Sequence, residues 1–201
     1  MLVNSKELIY MFLAQELLNE KYNGKDWRDQ VSRGKAKIAF LDEVSEFARE
    51  LEPTWKWWSG KAQAKTIDRD KAIFELIDAI HFGLLLILHQ YSPEEIIQEI
   101  NRRIPPEASV KVYQGDPHDN FSDSVANFLK GVNFNCRVAI SMLLDVIESG
   151  GWLIGGLNSG DLFVAYGMKN KLNAKRVEGG QLQGTYDKSR EAELKLLEQL
   201  K

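Results

Sequence analysis

The stretch from Ala72 to Leu88, AIFELIDAIHFGLLLIL, constrains this chain most. It is apolar on nearly every side, so as a helix it is expected to be buried all round. It nevertheless carries Glu75 and Asp78, three residues apart and hence on one helical face. A buried carboxylate must neutralise, pair with a cation or bind a metal. Its surroundings therefore have to offset two of them.

The 201 residues fit one domain, or one plus a small accessory segment, and are assigned to a single domain, residues 1–201. Hydrophobic and charged contents of 44% and 27% are those of a globular protein able to bury a sizeable core. The net charge of −3 is mixed along the sequence, with no basic tract, which argues against nucleic acid as a partner. Cys136 is the sole cysteine, cannot form an internal disulfide, and fits a reducing cytoplasm; between Phe134 and Val138 it reads as a structural thiol. No signal peptide is expected, and the longest apolar run, Ala79 to Leu88, is too short for a membrane span of about 20 residues.

Periodicity predicts a helix from Ser5 to Tyr22, capped by Ser5, with Leu8, Phe12, Leu17 and Leu18 on its apolar stripe. Gln15 and Asn19 share a face near its end. They are either two solvated polar residues or an amide pair able to read a nucleobase edge, each amide offering a donor and an acceptor. Asn23-Gly24 stops the helix, and Trp27 to Gly34 reads as a loop or short turn.

A second helix is expected over Lys35 to Leu51, with Leu41, Val44, Ala48 and Leu51 as its apolar stripe. Glu43, Glu46 and Glu50 then cluster on the opposite side, as an exposed acidic face or as repelling acids with cations among them. Pro53 ends this helix. Trp55-Lys56-Trp57-Trp58 follows, either as tryptophans packed between helices or as a wall around an aromatic ligand with Lys56 facing an anion. Lys61 to Lys71 reads as a charged, mobile connector.

Ser92-Pro93-Glu94-Glu95 is a helix start: serine cap, proline in the first turn, then acids. That helix reaches about Arg102, and Val110 to Asp119 has the turn residues of a loop. A helix pair is expected at Phe121–Lys130 and Phe134–Glu148, both apolar enough for core or subunit interface, with Gly150-Gly151 ending the second. The glycines between Gly155 and Gly160 lack phosphate-loop spacing. Helix resumes at Asp161. Lys169, Asn173 and Arg176 lie on one face of it, followed by a glycine loop with Tyr186 and Lys188; a polyphosphate grip and a solvated basic helix end both fit. A charged amphipathic helix is expected over Ser189 to Lys201.

Glu43-x-x-Glu46 on one helix and Glu75-x-x-Asp78 on another suit hard divalent cations such as Mg²⁺. The pair of motifs resembles the all-α nucleoside triphosphate pyrophosphatase superfamily. Further motifs narrow the resemblance to the dimeric dUTPases: Gln15-x-x-x-Asn19 with Asn23-Gly24-x-x-Trp27, the tryptophan loop, Glu75-Leu76-Ile77-Asp78-x-x-His81-Phe82, and Tyr166-Gly167-x-Lys169-Asn170-x-x-Asn173-x-x-Arg176 followed by Gly180, Gly184, Tyr186 and Lys188. They run in order from Gln15 to Lys188. Residues 94–160 carry few family-specific positions and are assigned only to helical packing and interface.

The resemblance implies an all-α helical bundle assembled as a homodimer. It implies Mg²⁺-dependent hydrolysis of dUTP, and of dUDP, to dUMP, with attack on the β-phosphorus. Glu43, Glu46, Glu75 and Asp78 would hold two or three Mg²⁺ ions, and Glu46 would position and deprotonate the water. Lys169, Asn173, Arg176, Tyr186 and Lys188 would grip the phosphates, with Lys56 as a further cation. Gln15 and Asn19 would read the uracil edge, while Trp58, His81 and Phe82 shape the nucleoside pocket. Three departures leave loop closure and the triphosphate–diphosphate preference open: a segment between Glu46 and Trp55 about two residues longer than the family pattern, Gln181 in place of an aromatic, and no Glu-Asp-Asn ending after Lys188. A related dCTP or dNTP pyrophosphatase and a catalytically decayed nucleotide-binding regulator are the alternative readings.

Overall fold

The computed structural model describes residues 2–104 and 114–179. Among these there are helices and no strand, so the fold is all-α. The long central helix is α6 (Arg69–Leu88), the sixth in order. Before it come α1 (Ser5–Asn23), α2 (Trp27–Gln30), α3 (Arg33–Glu50), α4 (Glu52–Trp55) and α5 (Gly60–Gln63). After it come α7 (Pro93–Arg103), α8 (Pro117–Gly131), α9 (Cys136–Leu153) and α10 (Ser159–Glu178). Helix α6 packs against α3, α10, α9 and α1, and α8 pairs with α9 as a helical hairpin.

This packing explains the apolar run. Leu76, Ile77, Ile80 and Leu84 through Leu88 are buried, whereas Phe74, Glu75, Asp78 and Phe82 form a half-buried face. Beyond its exposed first turn and the half-buried Ile73, the helix is thus enclosed except along the strip that carries its two acids. Asp68 caps it, accepting from the Lys71 amide, so it begins within the segment expected to be a connector. Helix α5 occupies another part of that segment.

Helix α3 differs most from expectation. Its buried face is Ala36, Phe40 and Phe47, continued by Leu51, while Leu41 is 44% exposed and Ile38 is 70% exposed. Positions 36, 40, 43 and 47 follow helical spacing, so Glu43 lies in line with the buried aromatics. The predicted Leu41–Val44–Ala48 stripe is therefore not the core stripe. The reason is packing: Phe40 meets Phe128 at 5.1 Å between ring centroids and Phe47 meets Phe121 at 5.1 Å. Hydrophobic stabilisation scales with the apolar area removed from water, and two phenyl rings bury more of it than Val44 and Ala48 would.

Smaller corrections have local causes. Asn4, not Ser5, caps α1, through a capping box with Glu7. Leu17 is 67% exposed and lies off the buried stripe. Of the loop or short turn expected at Trp27 to Gly34, residues 27–30 form a single helical turn, with Trp27 fully buried and its indole N–H donating to Glu16. Helix α9 continues through Gly150 and Gly151 to Leu153. Those glycines provide close approach, since a Cβ on Gly150 would fall 2.7 Å from Leu76 Cδ1. The chain turns instead at Gly155 and Gly156, with φ of 90° and 89°. The expected helix over 189–201 lies outside the described residues.

Candidate metal and nucleotide site

Helices α3 and α6 bring three carboxylates together. Glu43, Glu75 and Asp78 each offer an oxygen, and these lie within 4.8 Å of one another. Phe40 and Phe47 fix the rotation of α3 that turns Glu43 inward, while the buried residues of α6 hold the half-buried strip bearing Glu75 and Asp78 toward it.

Clustering like charges in a partly desolvated place has the expected electrostatic result. The Glu43 carboxyl is pushed up to about 8, first by burial and then by the charges of Asp78, Glu46 and Glu75. Glu75 is also raised, chiefly by burial and then by Asp78. Lys169 opposes both shifts. Its Nζ lies 2.6 Å from Asp78 Oδ2, and the two side chains are only 11% and 18% exposed. Lys169 falls on the inner face of α10 with Leu162 and Tyr166, which explains how a lysine comes to lie beside the acids. An oxygen-only set held together against repulsion fits a hard divalent cation.

Glu46 lies outside the trio. Its Oε1 accepts from Arg49 Nη2 at 2.8 Å on a solvated part of α3, although its charge still acts on Glu43 and Glu75. Glu50, the third acid of the predicted acidic face, pairs with Lys71 at 2.5 Å.

Gln15 and Asn19 are not solvated: both are 4% exposed. Gln15 Nε2 donates to Asn19 Oδ1 at 2.7 Å, and Gln15 Oε1 lies 2.6 Å from His81 Nδ1. Burial, with the Lys169 charge adding to it, drives His81 down to about 3, so the ring is neutral at pH 7. Tyr166 stacks on the His81 ring at 4.5 Å between centroids, and its hydroxyl donates to the Met11 carbonyl at 2.9 Å. Sequence reasoning did not give Tyr166 a role at the site. Its position one turn before Lys169 was the available indication. Phe82 is half-buried against the core.

Other predicted site residues are dispersed around this centre. Arg176 Nη1 donates to Asn173 Oδ1 at 2.9 Å, one turn apart on α10. Lys56 Nζ faces the carboxylate of Glu52 at 2.8 Å, and Lys65 reaches the same group at 2.6 Å. The two lysines hold Glu52 down to about 2. Trp55 donates its indole N–H to the Ala48 carbonyl at 2.7 Å, whereas Trp57 and Trp58 are exposed and meet edge to face. The tryptophan loop is thus anchored by one ring and presents two. Tyr186 and Lys188 lie outside the described residues.

Fold and site together define an all-α protein with a carboxylate cluster suited to hard divalent cations. The family model described as dUTPase matches residues 7–180, and the chain belongs to that family. No curated protein matches it.

Proposed function

We propose that this protein hydrolyses dUTP, and also dUDP, to dUMP in a Mg²⁺-dependent reaction, limiting uracil available to DNA synthesis and supplying dUMP. The observation that carries the reading is the Glu43–Glu75–Asp78 cluster, with carboxylate oxygens within 4.8 Å, in a chain of the dUTPase family.

Glu43, Glu75 and Asp78, joined by Glu46, would hold two or three Mg²⁺ ions. Bound Mg²⁺ would neutralise phosphate charge and lower the pKa of a water. The water oxygen adds to the β-phosphorus, and the bond from that phosphorus to the oxygen shared with the α-phosphate breaks. Pyrophosphate and dUMP separate, and Glu46 takes the water's proton. The charge of Glu46 acts on both Glu43 and Glu75, which supports placing it beside the metals once it leaves Arg49. Lys169, beside Asp78, is well placed to pass from the carboxylate to a phosphate. Asn173, Arg176, Tyr186 and Lys188 complete the phosphate grip, with Lys56 contributing after release from Glu52. Gln15 and Asn19 read the base, and Trp58, His81 and Phe82 bound the nucleoside. Phe82 blocks a 2′-hydroxyl, and the pocket wall excludes a 5-methyl group, a difference of about 1–3 kcal/mol in a simple pocket.

We assign the whole chain to one domain acting as a cytoplasmic homodimer. Tyr10, Leu13 and Leu17 form an exposed apolar row on α1, which supports a subunit interface there. No single described helix is long and apolar enough to cross a membrane.

The test is release of pyrophosphate or phosphate from dUTP, dUDP, dCTP and dTTP, with and without Mg²⁺. Mg²⁺-dependent formation of dUMP is expected. Preferential turnover of dCTP would mark a related pyrophosphatase. Tight Mg²⁺-dependent binding without turnover would mark a nucleotide-binding regulator.

A further inference from the structure

Buried polar atoms are nearly always paired, and exceptions need a reason. Two such exceptions terminate one hydrogen-bond run: His81 Nδ1 to Gln15 Oε1, then Gln15 Nε2 to Asn19 Oδ1. At its ends, Asn19 Nδ2 and His81 Nε2 are buried without a partner among the described residues. All three side chains are at least nine-tenths buried, with exposures of 4%, 4% and 5% for Gln15, Asn19 and His81.

The run has a direction. An amide has a donor end and an acceptor end, and a neutral imidazole has one N–H and one lone pair. Gln15 Oε1 only accepts, so the His81 proton sits on Nδ1 and Nε2 is a lone pair. The unspent groups are then a donor on Asn19 and an acceptor on His81. Reversal would require both amides to flip and the ring proton to move, all together. The reversed run would leave an acceptor on Asn19 and an N–H on His81. The ring itself is held by the Tyr166 stack, and Tyr166 is anchored to Met11, one turn before Gln15 on α1.

We infer that the His81 tautomer, acting through Gln15, decides which pyrimidine edge the Asn19 amide accepts. The Nδ1–H form presents an amide N–H and selects a 4-oxo pyrimidine. The reversed run presents a carbonyl oxygen and selects a 4-amino pyrimidine. His81 is thus a positioning residue for base choice. A 4-amino group facing the Asn19 N–H would oppose donor to donor and leave a buried group unsatisfied, a discrimination of about ten- to hundredfold. The inference rests on the proposed nucleotide hydrolysis for its substrate class.

Nitrogen-15 NMR of the imidazoles, with titrations of dUMP and dCMP into the wild type and His81→Asn, tests it. An asparagine can offer Gln15 either an N–H or an oxygen, which uncouples the run. The expected results are a protonated Nδ1 and unprotonated Nε2 on His81, tighter binding of dUMP than dCMP, and a preference at least about tenfold smaller in His81→Asn. With turnover, the same loss appears in the dUTP-to-dCTP ratio and is carried mainly by KM. An Nε2–H tautomer in the dUMP complex, or an unchanged preference in folded His81→Asn, would overturn the inference. If His81→Asn does not fold, the wild-type tautomer in the dUMP complex decides it. Failure to hydrolyse either triphosphate would count against the proposed reaction, while the tautomer and monophosphate binding would still judge the relay.

Discussion

Lys169 Nζ lies 2.6 Å from Asp78 Oδ2, so α10 supplies a cation to the edge of the acid cluster built by α3 and α6. Replacing Lys169 with Met should leave the acids without this compensation. Glu43 and Glu75 should then hold their protons to still higher pH, because Lys169 lowers both. The loss in stability at neutral pH should be about 1–3 kcal/mol, between exposed and fully buried pairs. Urea denaturation measures the loss. Restoration by Mg²⁺ in place of the lysine charge would support the cation-balance account.

The pH dependence of stability has a definite sign. Glu43 titrates at about 8 in the folded protein, above its ordinary 4.5. Between those values the folded state holds more protons than the unfolded chain, so this group makes stability fall as pH rises. Glu75 contributes in the same direction. Mg²⁺ requires deprotonated carboxylates, so its stabilising effect should grow over that window. Thermal unfolding from pH 5 to 9, with chelator or with Mg²⁺, should show the two curves diverging as pH rises. Parallel curves would contradict the assignment of these acids to the metal.

Gly83 tests the packing that positions the site. A Cβ there would fall 2.5 Å from Leu143 Cδ1 and 3.6 Å from Phe40 Cε2. Gly83→Ala should cost about 1–3 kcal/mol by overpacking, despite the better helix propensity of alanine. Because Phe40 also sets the rotation of α3, Mg²⁺ affinity should fall as well. Chemical denaturation and Mg²⁺ calorimetry measure the two effects separately.

The exposed apolar row on α1 bears on assembly. Leu17 is 67% exposed and shares its face with Tyr10 and Leu13. Leu17→Glu should weaken the proposed homodimer while leaving the buried core intact. Sedimentation velocity of both proteins should show the shift toward monomer.

The legibility of this chain follows the range of the forces involved. The apolar run of α6 and the cap at Ser92 were readable because they depend on local pattern and local hydrogen bonds. The rotation of α3 was not, because helices distant in sequence set it: α3 packs along α6, and Phe40 and Phe47 meet Phe128 and Phe121 of α8. Leu41, Val44 and Ala48 made an equally regular stripe within the segment. Spacing and family resemblance point to Glu43, Glu46, Glu75 and Asp78 as ligands; that Glu43, Glu75 and Asp78 converge while Glu46 lies outside them is a tertiary fact. Gln15 and Asn19 read as solvated or as base-reading from spacing alone; their burial is a tertiary fact, as is the contact of Gln15 with His81, 66 residues away in sequence. The pairing of Lys169 with Asp78 was likewise beyond any local pattern.

The Glu43–Glu75–Asp78 cluster is the proposed metal site for dUTP hydrolysis. Glu75→Gln keeps the shape of the side chain and removes its charge. It should raise the metal-free stability by about 0.5–2 kcal/mol through relief of repulsion. The most direct measurement is the rate of dUMP formation from dUTP by the wild type and by folded Glu75→Gln in saturating Mg²⁺. Turnover by the wild type and its abolition in Glu75→Gln are the predicted result; retained turnover in Glu75→Gln, or none in the wild type, would contradict the account.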